Sequence, residues 1–331
     1  MDKSTLLTLL RESESYVSGQ EISKLLGVSR SAVWKVIKQL REDGYDIEAV
    51  SNRGYRLKDT PDNMSKDEIL SRLQTVKMGR DLYYFDETDS TNVRIRVLAD
   101  EGASDGALAV SDMQTSGRGR RGRGWISPAG MNIYMSLLLE PKLSPSDAPM
   151  ITLIMALAVS RGIMDLVENV EAKIKWPNDI VINGKKVCGI LTEMMLEADY
   201  IRNVIVGVGI NVNQDDRSLF APEISESATS IRLENGHAVD RSELIARIMY
   251  HFEKNYDTFL EAGDLSPFKK EYEKSLVSMD KEVRVLDPKG EYTGISRGID
   301  DKGELIVETA EGERMNVYAG EVSVRGLYGY V

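Results

Sequence analysis

The sequence predicts an α+β chain in three parts: a winged helix-turn-helix over residues 1–60, a mixed-sheet α/β domain over 65–279 and a small β-barrel over 280–331. Two capped amphipathic helices separated by a glycine, then a hairpin, predict the first part. Hairpin signals beside long apolar helical runs predict the second, because they require a mixed or antiparallel sheet with helices on one face, not a doubly wound parallel one. Turn signals at short, regular spacing near the C-terminus predict the third.

In residues 18–57, "SGQEISKLLGVSRSAVWKVIKQLREDGYDIEAVSNRGYRL", Ser18 and Glu21 form a capping box. The helix they open is expected to bury Ile22, Leu25 and Leu26, and Gly27 ends it in a tight turn. Ser29 caps the next helix, where Val33, Val36, Ile37 and Leu40 recur at helical spacing. Arg30, Ser31, Lys35 and Lys38 then fall on its outer side, and with Ser29 they form the expected DNA-facing set. Ile47–Val50 and Tyr55–Leu57 read as strands around "SNRG", which carries Arg53 at its tip as a further DNA contact. The polar stretch 58–66 contains Pro61 and reads as a linker, after which Ser65 and Glu68 open the second domain with another capping box.

Charge supports the DNA reading. The chain carries 42 Lys/Arg against 53 Asp/Glu, a net −11, yet residues 1–60 hold ten basic and nine acidic side chains. Between Lys24 and Arg41 there are five basic residues and no acidic one. A basic stripe inside an acidic protein marks a nucleic-acid surface better than overall pI does. One cysteine, Cys188, fits a reducing, cytoplasmic setting, and with two histidines it makes a His/Cys zinc site improbable. The N-terminus lacks the apolar core of a signal peptide, and the apolar run around Met150–Val159 is too short for a bilayer, so no membrane is expected.

In the centre, strands are expected at 82–85, 107–113, 132–139, 172–176, 180–182, 187–195 and 203–212, with a buried helix from Pro145 to Val167. "ING" before Lys185 and "EADYIRN" (197–203) mark hairpins. Between the second and third strands lies "GRGRRGRGW" (117–125), with four arginines and four glycines ahead of Trp125. It matches G-x-G-x-x-G, but the residues after it contain Gly124, Pro128 and Gly130 and lead to a strand, so no helix N-terminus holds a pyrophosphate. Neither Lys nor Ser/Thr follows Gly122, so it is not a Walker A loop. Its internal position also argues against a nucleic-acid tail. What remains is a loop, mobile when empty, whose guanidiniums fold onto phosphate or carboxylate oxygens. Trp125 reads equally as a face for a purine and as a core side chain.

"GRGRRGRGW", "KWPND" (175–179) and "GILTEM" (189–194), in this order and spacing behind a winged helix, resemble biotin–protein ligases. The resemblance is nearest to the bifunctional biotin ligase and biotin-operon repressor, and it spans essentially the whole chain. It implies a central domain like the class II synthetases and an SH3-like C-terminal barrel that helps to hold ATP and acceptor protein. It also implies the chemistry. Biotin and ATP form biotinyl-AMP with Mg2+, a lysine of a biotin carboxyl carrier protein takes the acyl group, and the adenylate-bound protein dimerises on operator DNA.

By the same resemblance Arg118, Gly119 and Arg120 belong to the loop that binds biotin and adenylate, with Arg121, Arg123 and Trp125 beside the nucleotide. Lys186 matches the lysine that contacts biotin or the reacting phosphate, so Arg120, Lys186 and Asp179 form the catalytic set. Asp179 is also the magnesium candidate, although from the residues alone it reads as a turn aspartate after Pro177–Asn178. "DSTN" (89–92) supplies Ser90, Thr91 and Asn92 to biotin's ureido ring, while reading equally as a helix cap; Gln114 and Ser136 join that pocket. Lys175, Asn178 and Asn211 fall on the ATP side. Cys188 lies in an apolar strand and reads as buried structure. Two rival readings stand beside the ligase: a non-enzymatic winged-helix regulator that senses a small acid, and a ligase for another acyl group such as lipoate.

Overall fold

The computed structural model describes all residues except 1, 14, 62–63, 198–199, 288–289, 320–322 and 327–330. They form two compact units, residues 1–73 and 74–331.

The first unit contains helices α1 (Lys3–Glu12), α2 (Gly19–Leu26) and α3 (Arg30–Glu42), strands β1 (Asp46–Val50) and β2 (Gly54–Asp59), and helix α4 (Lys66–Arg72). Its caps follow the sequence. Ser18 accepts from the Glu21 N–H, Ser29 accepts from the Ala32 N–H, and Gly27 takes φ +64° between α2 and α3. Leu6, Leu10, Ile22, Val33, Ile37 and Leu40 meet in the core. Leu25 does not; it is 63% exposed, because α2 buries Ile22 and tucks only Leu26 in beside it. Val17 exchanges two backbone hydrogen bonds with Tyr55, which extends the β1–β2 hairpin into a wing.

α4 packs on α1, so the capping box expected to open the second domain lies within the first unit. The reason is buried charge. The Glu68 carboxylate, 2% exposed, lies 2.5 Å from Arg11 Nη2 and 2.8 Å from Arg72 Nη1. It also accepts the Tyr45 hydroxyl at 2.6 Å, and burial together with this carboxylate pushes the phenol well above its usual pKa.

The second unit is built on a seven-stranded sheet. Its elements begin with β3 (Leu82–Thr88), α5 (Thr91–Asp100), β4 (Leu108–Gln114), β5 (Ile133–Leu139) and α6 (Pro149–Leu166). They continue with β6 (Lys173–Lys175), β7 (Asp179–Ile182), β8 (Lys185–Glu197), β9 (Tyr200–Ile210), α7 (Ile231–Asn235), α8 (Arg241–Ala262) and α9 (Lys269–Ser275). Strand order is β3-β4-β5-β9-β8-β7-β6, and only β3–β4 is parallel. The β8–β9 hairpin forms as expected, with its turn residues 198–199 outside the described set.

Helices cover both faces of this sheet, not one. Thr152 of α6 bonds Thr192, whereas Asn92 of α5 bonds the neighbouring Glu193, and adjacent strand residues point to opposite faces. α6 has the length and hydropathy of a membrane span, contrary to the sequence reading. It is 72% buried within the fold, sandwiched between the sheet and α8, as a core helix is.

C-terminal strands β10 (Glu282–Leu286), β11 (Tyr292–Ile299), β12 (Leu305–Glu308), β13 (Arg314–Val317) and β14 (Ser323–Gly326) form an antiparallel sheet ordered β13-β12-β11-β10-β14. The turns expected at "DDKG" and "AEGE" join β11–β12 and β12–β13; Pro288 and Lys289 of "DPKG" lie outside the described residues. The expected barrel is not closed: among the described residues β13 and β14 form no ladder with each other. Trp176 ties this sheet to the central one, its Nε1 donating to the Gly303 carbonyl at 3.0 Å.

The Glu68 network predicts that Glu68→Ala, which removes the buried carboxylate shared by Arg11 and Arg72, destabilises the first unit by about 3–5 kcal/mol. Hydrogen exchange of the α1 and α3 amides in the full chain measures it, and unchanged protection would assign the network no structural role.

Candidate functional site

A cavity opens on the α5 side of the sheet, and its floor is made of glycine. Gly189 of β8 pairs with Gly209 of β9, and Gly207 pairs with Ser136 of β5. A Cβ on Gly207 would lie 2.1 Å from Asn92 Oδ1, and one on Gly209 would lie 2.7 Å from the Trp125 ring. These strands therefore omit side chains where Asn92 and Trp125 must approach the backbone. Alternating glycines in "GVGINVN" were the sequence signal for this floor, and neither Gly207 nor Gly209 was among the expected site residues.

Above the floor stands a set of neutral polar groups. Ser90 occupies the N-cap position of α5 but makes no capping bond with its side chain, so its part as a helix cap is positional only. The Thr91 N–H donates to Gln114 Oε1 at 2.9 Å, and Gln114 Nε2 donates to Ser127 Oγ at 3.0 Å. Asn92 Nδ2 donates to Glu193 Oε2 at 2.8 Å. Ser136 is fully buried behind this set, its Oγ 2.6 Å from Asn92 Oδ1 and 2.7 Å from Thr91 Oγ1. It orients the cluster and does not line the cavity.

The arginine loop crosses the opposite wall. It is closed on itself: the Gly119 N–H donates to the Arg123 carbonyl at 2.7 Å, and the Trp125 N–H to the Gly117 carbonyl at 2.9 Å. Arg121 sits at φ +57°, a left-handed conformation unfavourable for a side chain of this size. Arg120 anchors the loop, donating to Asn178 Oδ1 at 2.8 Å and to the Ala319 carbonyl at 3.0 Å. Arg118, Gly119, Arg121 and Arg123 line the cavity with it. The Trp125 indole lies over the glycine floor inside the cavity.

Charge converges at the loop's inner end. Lys186 Nζ lies 2.6 Å from Asp179 Oδ1 and 5.5 Å from the centre of the Trp125 ring. Burial lowers the Arg120 pKa while Asp179 opposes that shift. Lys175 borders the cavity without lining it; burial pushes its ammonium down to about 8, with Asp179 opposing and Lys186, Arg325 and Arg123 adding to the shift. Asn211 also lies outside the lining, donating to the Thr229 carbonyl at 3.0 Å and so bracing the segment that brings Ile224, Ser227 and Ala228 to the cavity. The sequence held no signal for those three. Cys188 is fully buried in β8 and burial pushes its thiol pKa up, the environment of a structural cysteine.

In the first unit, Arg30, Ser31, Lys35 and Lys38 are exposed along α3 and Arg53 is exposed at the wing tip. Ser29 Oγ caps α3 and lies 2.9 Å from Ser31 Oγ. Arg30 reaches Gln20 at 2.7 Å, Lys38 lies 3.7 Å from Glu42, and Arg53 lies over the Tyr16 ring. Arg41 leaves the cationic face, because its guanidinium donates to the Ile47 carbonyl and pins the wing.

Guanidinium and ammonium groups facing hydroxyl and amide groups across a bare floor suit a ligand with anionic oxygens at one end and a neutral head at the other. Residues 84–211 match the biotin/lipoate A/B protein ligase family, residues 3–56 an HTH domain and residues 279–325 the biotin protein ligase C terminal domain. The chain is 42% identical over 309 residues to the bifunctional ligase/repressor BirA of Bacillus subtilis, across 93% of this chain and 94% of that protein. To BirA of Escherichia coli it is 30% identical over 320 residues, across 97% and 96%. The biotin protein ligase from Aquifex aeolicus in complex with biotin and ATP superposes with a TM-score of 0.65 at 34% identity, covering 75% of this chain and 99% of that one. The class is therefore that of the biotin and lipoate protein ligases. Within it, this chain belongs to the BirA family of bifunctional ligase/repressors.

Lys175 gives a pH prediction. Its folded-state pKa of about 8 lies below the ordinary 10.5, so the unfolded chain binds more protons between those values and folding stability gains as pH rises through that window. Lys175→Met lacks this gain. Chemical denaturation of both proteins from pH 7.5 to 10.5 should show wild type gaining on the variant; a constant difference would place Lys175 in solvent.

Proposed function

We infer that the chain activates biotin with ATP to biotinyl-AMP and transfers biotin to a lysine of a biotin carboxyl carrier protein. With the adenylate bound it represses genes of biotin synthesis or transport by binding operator DNA. The observation that carries the reading is the convergence of Arg120, Lys186 and Asp179 with the Ser90–Asn92 cluster in one cavity.

The family resemblance implies the roles, and the chemistry of the groups fits them. Ser90, Thr91, Asn92 and Gln114 hold the neutral ureido head, and Ser136 keeps them oriented. Arg118, the Gly119 backbone, Arg120 and Lys186 surround the carboxylate and α-phosphate, where charge is rearranged as the adenylate forms. Arg121, Arg123, Lys175 and Asn178 serve the phosphates, Trp125 offers a flat wall, and Asn211 braces the nucleotide side. Among the described residues no group of three or more His, Cys, Asp or Glu side chains gathers to hold a metal. Magnesium fits only as an ion that arrives on the triphosphate, with Asp179 as its protein carboxylate. It would neutralise charge on the departing pyrophosphate. The setting is cytoplasmic.

Dimerisation belongs to the same reading. One winged helix with so short a cationic stripe makes few phosphate contacts, whereas two copies on two half-sites double them. The arginine loop, with Arg121 held in an unfavourable backbone conformation, is the element that ligand binding would stabilise and couple to the dimer.

Arg120→Gly should release biotinyl-AMP roughly ten- to a hundredfold faster, the worth of about 1.5–3 kcal/mol for a charge-assisted hydrogen bond. A stopped-flow chase that finds the wild-type rate would remove Arg120 from the site. For the switch, sedimentation and DNA binding at fixed salt should both change on adding biotin plus ATP. Equal mass and equal DNA affinity in the two conditions would sink the switch while leaving the ligase intact.

A further inference from the structure

α3 buries Val33, Val36, Ile37 and Leu40 in the core of the first unit, and this core closes without Trp34. Trp34 stands in solvent at 59% exposure. It lies one helical turn after Arg30 and one turn before Lys38, whose Nζ is 5.9 Å from the ring centre. Such a side chain gains little from the fold itself, and the charge over its ring is a cation. Its surroundings select the partner. Lys24, Arg30, Lys35 and Lys38, with no acidic residue between them in the chain, disfavour a second copy of the same face and favour a polyanion.

Resting on the DNA-binding reading above, we propose that Trp34 reads thymine: its indole packs on the C5-methyl of a specific thymine while the cations around it hold the phosphates. The argument is one of complementarity. Major-groove edges present donors and acceptors, and thymine adds beside its O4 acceptor a C5-methyl, the one apolar group of the code. An indole offers broad apolar area and a single N–H, so it discriminates thymine from cytosine by the methyl and not by a hydrogen-bond pattern. Arg30 and Lys35 read polar edges or phosphates; Trp34 supplies the apolar component that the polar set lacks.

Deoxyuridine differs from thymidine by that methyl alone, which isolates the contact. The full chain, with biotin and ATP present, is used to recover bound sequences from a pool of random duplexes, and each thymine of the recovered sequence is then replaced by deoxyuridine. At one position per half-site the replacement should weaken binding about fourfold, the transfer value of one buried methyl. Trp34→Ala should lose that discrimination there while still responding to changes at other positions, and Trp34→Phe, which keeps a ring, should retain part of it. Matched thermal unfolding of the three proteins excludes a folding effect. Uracil replacement without effect at every position overturns the proposal, as does Trp34→Ala weakening all duplexes equally, which would mark a backbone contact. A change in the mass of the DNA-free protein would also overturn it, by assigning the ring to a contact between copies. If wild type recovers no preferred sequence, the DNA-binding reading itself falls; if it does, only the role of Trp34 is at stake.

Discussion

A missing set of side chains governs the catalytic unit. Gly189, Gly207 and Gly209 leave the β8–β9 ladder bare on the face toward α5, and the site is assembled in the space they vacate. Asn92 can then approach the strand backbone closely enough to bond Glu193 and meet Ser136. Trp125 can lie flat on the sheet, which brings the end of the arginine loop beside Lys186. The cost of glycine inside strands is offset by the ladders around it, since Gly207 and Gly209 of β9 are paired with β5 on one side and β8 on the other. Adding one methyl group to this floor would disturb the polar head site and the loop together.

Electrostatics is arranged on the same small scale. The chain carries a net −11, yet the cavity gathers four loop arginines and Lys186 around the one carboxylate of Asp179. Asp179 holds Lys186 at 2.6 Å and opposes the depression of both Arg120 and Lys175. Its charge partly offsets the burial of these two cations, and an incoming phosphate would take over part of that work. A surplus of positive charge in a partly desolvated site favours an anion more strongly than the same charges spread over open surface.

Much of this was legible from the chain. Ser18, Ser29 and Gly27 act locally, so capping and turn chemistry placed α2 and α3 closely. The strands of the central sheet followed from apolar runs for the same reason. What escaped depends on distant partners. Nothing within residues 60–73 says that Glu68 is buried against Arg11, so the linker reading set the boundary too early. Leu25 follows helical periodicity and is nonetheless exposed, because the core has no place opposite it. The helices on both sheet faces, the open C-terminal sheet and the approach of Ile224, Ser227 and Ala228 to the cavity are likewise products of topology. Among the sites, the polar cluster and the loop were readable as motifs, whereas Ser136 and Asn211 proved to support the lining and not to form it.

Arg120 has one further property. Of its two acceptors among the described residues, Asn178 is a side chain but Ala319 contributes its main-chain carbonyl. A peptide oxygen is indifferent to the residue that carries it. The hold of the C-terminal segment on the loop is therefore insulated from point substitution at position 319, yet exposed to a change in chain length between Val317, where β13 ends, and Ala319. Sequence drift there can be free while register is not, and a single-residue deletion would alter this contact where many replacements would pass unnoticed.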